Sequence, residues 1–462
     1  MNYFNLWSLR LGFSGAQSSK IEKSGIKLFL EQSFETKFTE TIPDFLEKSP
    51  KLFEELKQIR SNLKNRTIEE KKAYLKKEIK TSFEKKSWWI DKMIQDEFPL
   101  REKMTCFWHN HYVSTYQKVK VNYWIFQHNQ ILREHAFGNY KTLTKKIIQT
   151  NAMVRYLDNV DNKKEKLNEN LSRELLELFT LGIGNYSEQD IKNGAKGLAG
   201  LGIGEKNAVY RKFAQDNENF NYLGKSGNWK IDQMIDLIFE QPNIPYLLTS
   251  KILKWFIYDH PKQELVQYYG DFFKEVNFEI KPLLIKIFSE EFEKKTEGSK
   301  IKNPLEYVLQ LMNELNIEQP NTSSIQYFIK QQGMDLFNQP NVKGWDGGNS
   351  WLTSQNFLQR NNVADLLCNG KNFNRSKQVE VEMQTEKSNP PLKIKLNWEK
   401  SGNNKQIIAE LSSRSLITVN KENQLDFEKI LKYDFDPKTE GSENAVLRLF
   451  NAMTKTAEYQ LI

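Results

Sequence analysis

The chain is short of cysteine. Two residues in 462, Cys106 and Cys368, cannot build a disulfide framework. Both sit beside apolar neighbours, Phe107 and Leu367, and read as buried free thiols. Glycine (22) and proline (13) are sparse, which excludes collagen-like and linker-dominated architectures. No apolar run approaches the ~20 residues that a bilayer span requires, so no membrane span is expected. The opening MNYFNLWSLRLGFSG has no charged n-region, long apolar h-region or small-residue cleavage site, and twin arginines are absent. As written, the chain reads as cytoplasmic. Neither sign of charge dominates: 67 basic residues face 59 acidic ones, for a net +8. Interspersed charge of that kind reads as a lysine-rich solvated surface. Aromatics interleave with Lys118, Lys120, Arg133 and Lys141, but no reading module accompanies them, so nucleic acid is not an expected partner.

What is present is a helical pattern. At 39% hydrophobic and 27% charged residues, the composition suits a folded globular chain. Apolar positions recur at helical spacing in Ile26, Phe29, Leu30 and in Leu52, Phe53, Leu56, Ile59. Lysine and glutamate alternate along 48–86, and Ser87 stands as a start signal ahead of Trp88 and Trp89. Asn168 is placed to cap a helix over 169–181 that stops at Gly182. Ser187 and Asp190 have the spacing of a capping box. Residues 200–230 read as loop. Segments 378–384 and 392–398 alternate apolar with polar residues, which predicts a two-stranded ribbon. The expected fold is all-α: a large multi-helix domain with a small two-stranded β-ribbon near the C-terminus. Its parts are an N-terminal helical region (1–100), a motif-bearing core (101–370), a ribbon insertion (371–400) and a C-terminal helical region (401–462) packed on the core.

Three constellations carry chemistry. The first is Trp108-His109-Asn110-His111-Tyr112, which holds two of only five histidines. On an extended segment both rings share a face and reach one metal ion. On a helix they diverge by about 200°. The spelling suggests the HNH nucleases, whose motif is instead spread over a ββα module. The second lies in 168–182, where Glu169, Arg173 and Glu177 form one stripe and Glu174 lies about 60° round from Glu177. These are candidate ligands or bases if they face the histidines, and a solvated helix face if they do not. The third is the loop 338–348, NQPNVKGWDGG, with Lys343 and Trp345 beside glycines that permit close backbone approach.

These segments together resemble one bacterial family, the domain-of-unknown-function family 1800 (DUF1800). The matching text is PLREKMTCFWHNHYV, LREHAFGNY, YLDN, NENLSRELLELFTLGIGNYSEQDI, IKNPLEYV and PNVKGWDGG, with looser echoes in LRLGFSGA and EYQL. The resemblance implies a largely helical fold without an established activity. Members often neighbour a sulfatase-like family of secreted proteins, which implies a sulfatase-like partner and leaves room for export. The family's recurrent polar residues map onto His109, Asn110, His111, Arg133, Glu134, His135, Glu169, Asn170, Arg173, Glu174, Glu177, Lys343, Trp345 and Arg360. The chain departs from the family pattern at Gln215 and Leu201.

Two functions are expected from this. One is a hydrolase-like enzyme with His109 and His111 as ligands of a divalent metal, Glu174 and Glu177 as ligand or base, and Arg173 as their charge partner. The other is a non-catalytic scaffold or assembly factor, in which the motif residues form an internal polar network. Both place one site between 103–113 and 168–181, roofed by 340–348.

Overall fold

The computed structural model describes residues 1–39, 41–373 and 391–462. Twenty-one α-helices account for most of them. Local chemistry sets many of the boundaries. Thr67 and Glu70 cap each other's backbone and start the helix Ile68–Gln95. Ser87 is therefore mid-helix and starts nothing. Its hydroxyl instead accepts from Gln326 Nε2 at 2.6 Å and ties this helix to Thr322–Gln331. The box at Ser187 and Asp190 is formed, and the helix Glu188–Leu198 follows it.

The expected ribbon near the C-terminus is not observed where it is described. Segment 392–398 is extended but joins no sheet; 378–384 lies outside the described residues. Among the described residues, the strands fall mid-chain, in the stretch read as loop. Leu201–Gly202 pairs with Val209–Tyr210, and Phe220–Tyr222 with Lys225–Gly227, both antiparallel. Alternation in 392–398 has another cause. Leu396 and Trp398 are buried and the intervening residues exposed, while the Lys395 N–H donates to Leu315 O at 2.9 Å. One packed face is enough to impose a period of two.

A continuous cluster of buried side chains runs from Trp7 to Tyr459 and crosses all the expected regional boundaries that are described. The chain end is tied in by backbone bonds: Lys300 and Ile462 exchange N–H···O bonds of 3.0 and 2.8 Å, and Lys302 N–H donates to Gln460 O at 2.8 Å. Among the described residues, no helix is long and apolar enough to cross a membrane. For the site, four elements matter: the helices Leu100–His111, Asn170–Glu177 and Ile244–Phe256, and the loop at 340–348.

Candidate functional site

The His-Asn-His triplet ends the helix Leu100–His111, so its two imidazoles diverge. His109 is fully buried. Its ring packs on Trp89, His128 and Phe337, with centroids 5.6, 5.2 and 5.1 Å away, and its Nδ1 lies 3.4 Å from Gln339 Nε2. His111 turns toward Phe107, Tyr112 and Phe179. Its Nε2–H donates to Phe179 O at 3.2 Å, and its Nδ1 accepts from Lys251 Nζ at 3.2 Å. Desolvation holds both imidazoles well below their usual pKa, reinforced at His109 by His128 and at His111 by the Lys251 ammonium. The expected shared ligation is therefore not made. The rings face different surroundings, both nitrogens of His111 are engaged, and no group of three or more His, Cys, Asp or Glu converges as a metal ion needs among the described residues.

The second helix is shorter than its periodicity predicts. It spans Asn170–Glu177 and then widens. Leu181 and Gly182 N–H both donate to Leu176 O, at 2.9 and 3.1 Å, and the Thr180 hydroxyl caps Leu175 O at 2.5 Å. Two carbonyls are released by this. Leu178 O accepts from Lys251 Nζ at 2.8 Å; Phe179 O accepts from His111 and from the Tyr140 hydroxyl. The widened turn thus holds Lys251 and His111 together, although they are far apart in sequence.

The 340–348 loop closes over them. Asn110 Oδ1 accepts from Trp345 N–H at 2.7 Å, and Lys254 Nζ donates to Asp346 O at 3.1 Å. Gly344 has φ +86°, and a Cβ there would meet Asn110 Oδ1 at 2.3 Å, so only glycine fits. Beneath lies a cavity of about 140 Å³. Lys251, Lys254, Lys300 and Lys343 line it against two carboxylates, Asp259 and Asp346; Trp255, Trp345 and Trp351 supply apolar walls. Lys300 is committed to buried Glu306 at 3.0 Å. Lys251 is partly exposed, and desolvation together with Lys254 brings its pKa down to about 8.

Glu174 and Glu177 lie outside the cavity lining. Glu174 is half-buried, and desolvation followed by Glu177 raises its pKa, opposed by Arg173 and Lys343. Glu177 accepts from the Tyr186 hydroxyl at 3.0 Å. Arg173 turns outward to Glu188, with two contacts of 3.0 Å, and to Glu169 at 3.2 Å. Hydrogen bonding to Glu188 raises its pKa. Lys343 therefore links the cavity to the Glu174 region, whereas Arg173 and Glu169 face a surface pair.

A family model described as a protein of unknown function (DUF1800) matches residues 6–461. The chain belongs to the DUF1800 family. No curated protein and no solved structure matches it.

Several residues mapped from the DUF1800 pattern serve packing. Arg133 makes a two-point ion pair with buried Glu102 at 2.7 and 2.9 Å and also donates to Asn129 and Gln130. Arg360 is fully buried and donates to Gln332, Gln460 and Lys302 O. Asn170 Nδ2 donates to Leu157 O at 3.2 Å; His135 lies 3.7 Å from Glu134, outside the cavity. Sequence reasoning missed Lys251, Lys254, Trp255, Asp259 and Lys300. The available signal was two lysines three apart in an otherwise apolar run, KILKWFIY. That spacing puts both ammoniums on one face of a helix.

Proposed function

We propose that this chain binds a small anionic molecule in the cavity beneath the 340–348 loop. One observation carries the reading: Lys251, Lys254 and Lys343, from a helix and a separate loop, meet around a tryptophan-lined cavity that holds only two carboxylates. Low-dielectric aromatic walls strengthen the attraction of each ammonium for an anion. Titrating the protein with sulfate, phosphate and citrate tests it, with tryptophan emission as readout. Saturable binding that weakens about tenfold (~1.4 kcal/mol) in Lys254→Gln and in Lys343→Gln is expected. A response that never saturates and is the same in both variants overturns the proposal.

One chemistry draws on Glu174, outside the lining: carboxylate-assisted hydrolysis. Glu174 is pushed toward its neutral form beside a second carboxylate, and Lys343 is shared with the cavity. On this reading Glu174 delivers a proton to the leaving group of an anionic ester that reaches from the cavity past Lys343. Chromogenic phosphate, sulfate and acetate esters test this. Turnover that falls about a hundredfold in Glu174→Gln, with anion binding intact, is the expected result. Absence of turnover by the unmodified chain removes the hydrolytic reading and leaves the binding proposal standing.

A further inference from the structure

We infer that Lys251 is a reactive amine that forms an imine with a carbonyl compound carrying an anionic group, an inference that rests on the anion-binding reading of the same cavity. The argument begins with hydrogen-bond directions. Lys251 Nζ meets two acceptors, His111 Nδ1 at 3.2 Å and Leu178 O at 2.8 Å. A neutral amine has two N–H bonds and one lone pair. Those acceptors take both N–H bonds, so the remaining tetrahedral position is left for a molecule in the cavity that Lys251 lines. The acceptors are themselves fixed. His111 donates its other nitrogen's proton to Phe179 O, which sets the tautomer that leaves Nδ1 as an acceptor. Leu178 O is free because the widened turn withdraws it from the helix ladder.

The surroundings raise the uncharged fraction of Lys251 above that of a solvated lysine. Among the described residues no carboxylate bonds Lys251; burial, reinforced by the charge of Lys254, lowers its pKa to about 8. A lysine desolvated beside a second cation is the arrangement that activates amine nucleophiles. Lys254 and Lys343 stand at the cavity wall to hold the anionic group, and Trp255 and Trp345 stack with centroids 6.5 Å apart beside it.

The reaction balances without a further reagent. The Nζ lone pair forms a bond to the carbonyl carbon, the carbonyl π pair moves to oxygen, and one of the two N–H protons passes from nitrogen to that oxygen. The resulting carbinolamine loses that oxygen as one water molecule while nitrogen gives up its proton, and C=N forms. Nothing is oxidised or reduced. Proton transfers pass through water entering the open cavity.

The labelling itself uses the full, unmodified chain; only the charge preference is checked in a variant. Glyoxylate or acetaldehyde is added with cyanoborohydride, which traps an imine as a stable secondary amine, and modified lysines are located by peptide mass mapping. Lys251 is expected to be modified by glyoxylate about tenfold faster than typical surface lysines, because more of it is neutral near pH 7. Glyoxylate is expected to outpace acetaldehyde at this position alone, with sulfate slowing the reaction and Lys343→Gln erasing the preference. Labelling of Lys251 no faster than that of surface lysines overturns the inference. Equal rates with both aldehydes overturn its anionic half. If Lys251 stays unmodified while sulfate still shifts tryptophan emission saturably, the imine is wrong and the binding site stands; if sulfate binding also fails, both readings fall.

Discussion

Substituting Gly344 by alanine measures how firmly the glycine loop is docked on the His-Asn-His helix. Two effects add. The residue sits at φ +86°, where a Cβ is disfavoured by about 1 to 2 kcal/mol. The new methyl would also lie 2.3 Å from Asn110 Oδ1 and 2.6 Å from Asn110 O, well inside contact distance. The loop must then lift. That breaks the 2.7 Å bond from Trp345 N–H to Asn110 and leaves a part-buried donor unsatisfied, for about 1 to 3 kcal/mol more. Gly333 is the control. Its φ is +85°, but nothing lies within 4 Å of a Cβ there, so Gly333→Ala carries the backbone effect alone. Urea unfolding followed by circular dichroism is expected to show a loss of about 1 to 2 kcal/mol for Gly333→Ala and about 2 to 5 for Gly344→Ala. Asn110→Ala combined with Gly344→Ala recovers only part of the difference, because the Asn110 backbone oxygen remains in the way. Equal losses at the two glycines would refute the docking and, with it, the roof over the cavity.

Three further outcomes follow from the geometry. Glu102→Ala strands the Arg133 guanidinium in the core and is expected to destabilise by about 3 to 5 kcal/mol, whereas Lys118→Ala, which breaks a pair exposed on both sides, stays below about 1; paired urea midpoints compare them. His128 is fully buried, donates to Tyr112 O at 2.8 Å, and has its pKa lowered from 6.5 to about 4, chiefly by desolvation. Between those values the unfolded chain binds a proton that the folded chain refuses, so this contribution is whole above pH 6.5 and falls away as pH drops toward 4, by about 3 kcal/mol. His109 and His111 are shifted the same way, so urea midpoints should fall between pH 7 and 5, and less so in His128→Gln; an identical pH slope in that variant contradicts the assignment. Ser187→Ala removes a formed capping box and is expected to lose about 1 kcal/mol by thermal melting, with Ser187→Gly losing less.

What was legible in the sequence was local. The Ser187–Asp190 box needs only three residues of spacing, and it formed. The failures came where a local signal had two physical causes. Alternation in 392–398 reports an extended chain with one packed face, and the sequence cannot say whether a strand or a helix-lined groove lies against it. Ser87 has the chemistry of a cap, but Thr67 had already started that helix, so its hydroxyl was free for Gln326. Leu178, Phe179 and Leu181 continue the apolar stripe of 170–177, yet the helix widens there, since Thr180 takes Leu175 O and Gly182 at φ +86° ends the turn.

That widened turn explains why the site was half visible. Had the helix run on past Ile183, the carbonyls of Leu178 and Phe179 would have accepted from the backbone four residues on, in place of Lys251 and His111. Segment 103–113 does meet 168–181 and 340–348, but through the Phe179 main-chain oxygen and the Asn110 side-chain oxygen and not through the charged stripe that drew attention to them. Arg173 and Glu169 spend their charge on Glu188 and each other at the surface, as i, i+4 partners do on any helix. The ammonium that faces the cavity comes instead from Lys251, 140 residues beyond His111, in a run whose apolar character marks it as core. A lysine in such a run carries little signal by itself, since its stem buries well and its head usually escapes to water. Only the folded chain shows that this head is met by a neutral imidazole, a freed carbonyl and a second ammonium, and that among the described residues no carboxylate bonds it.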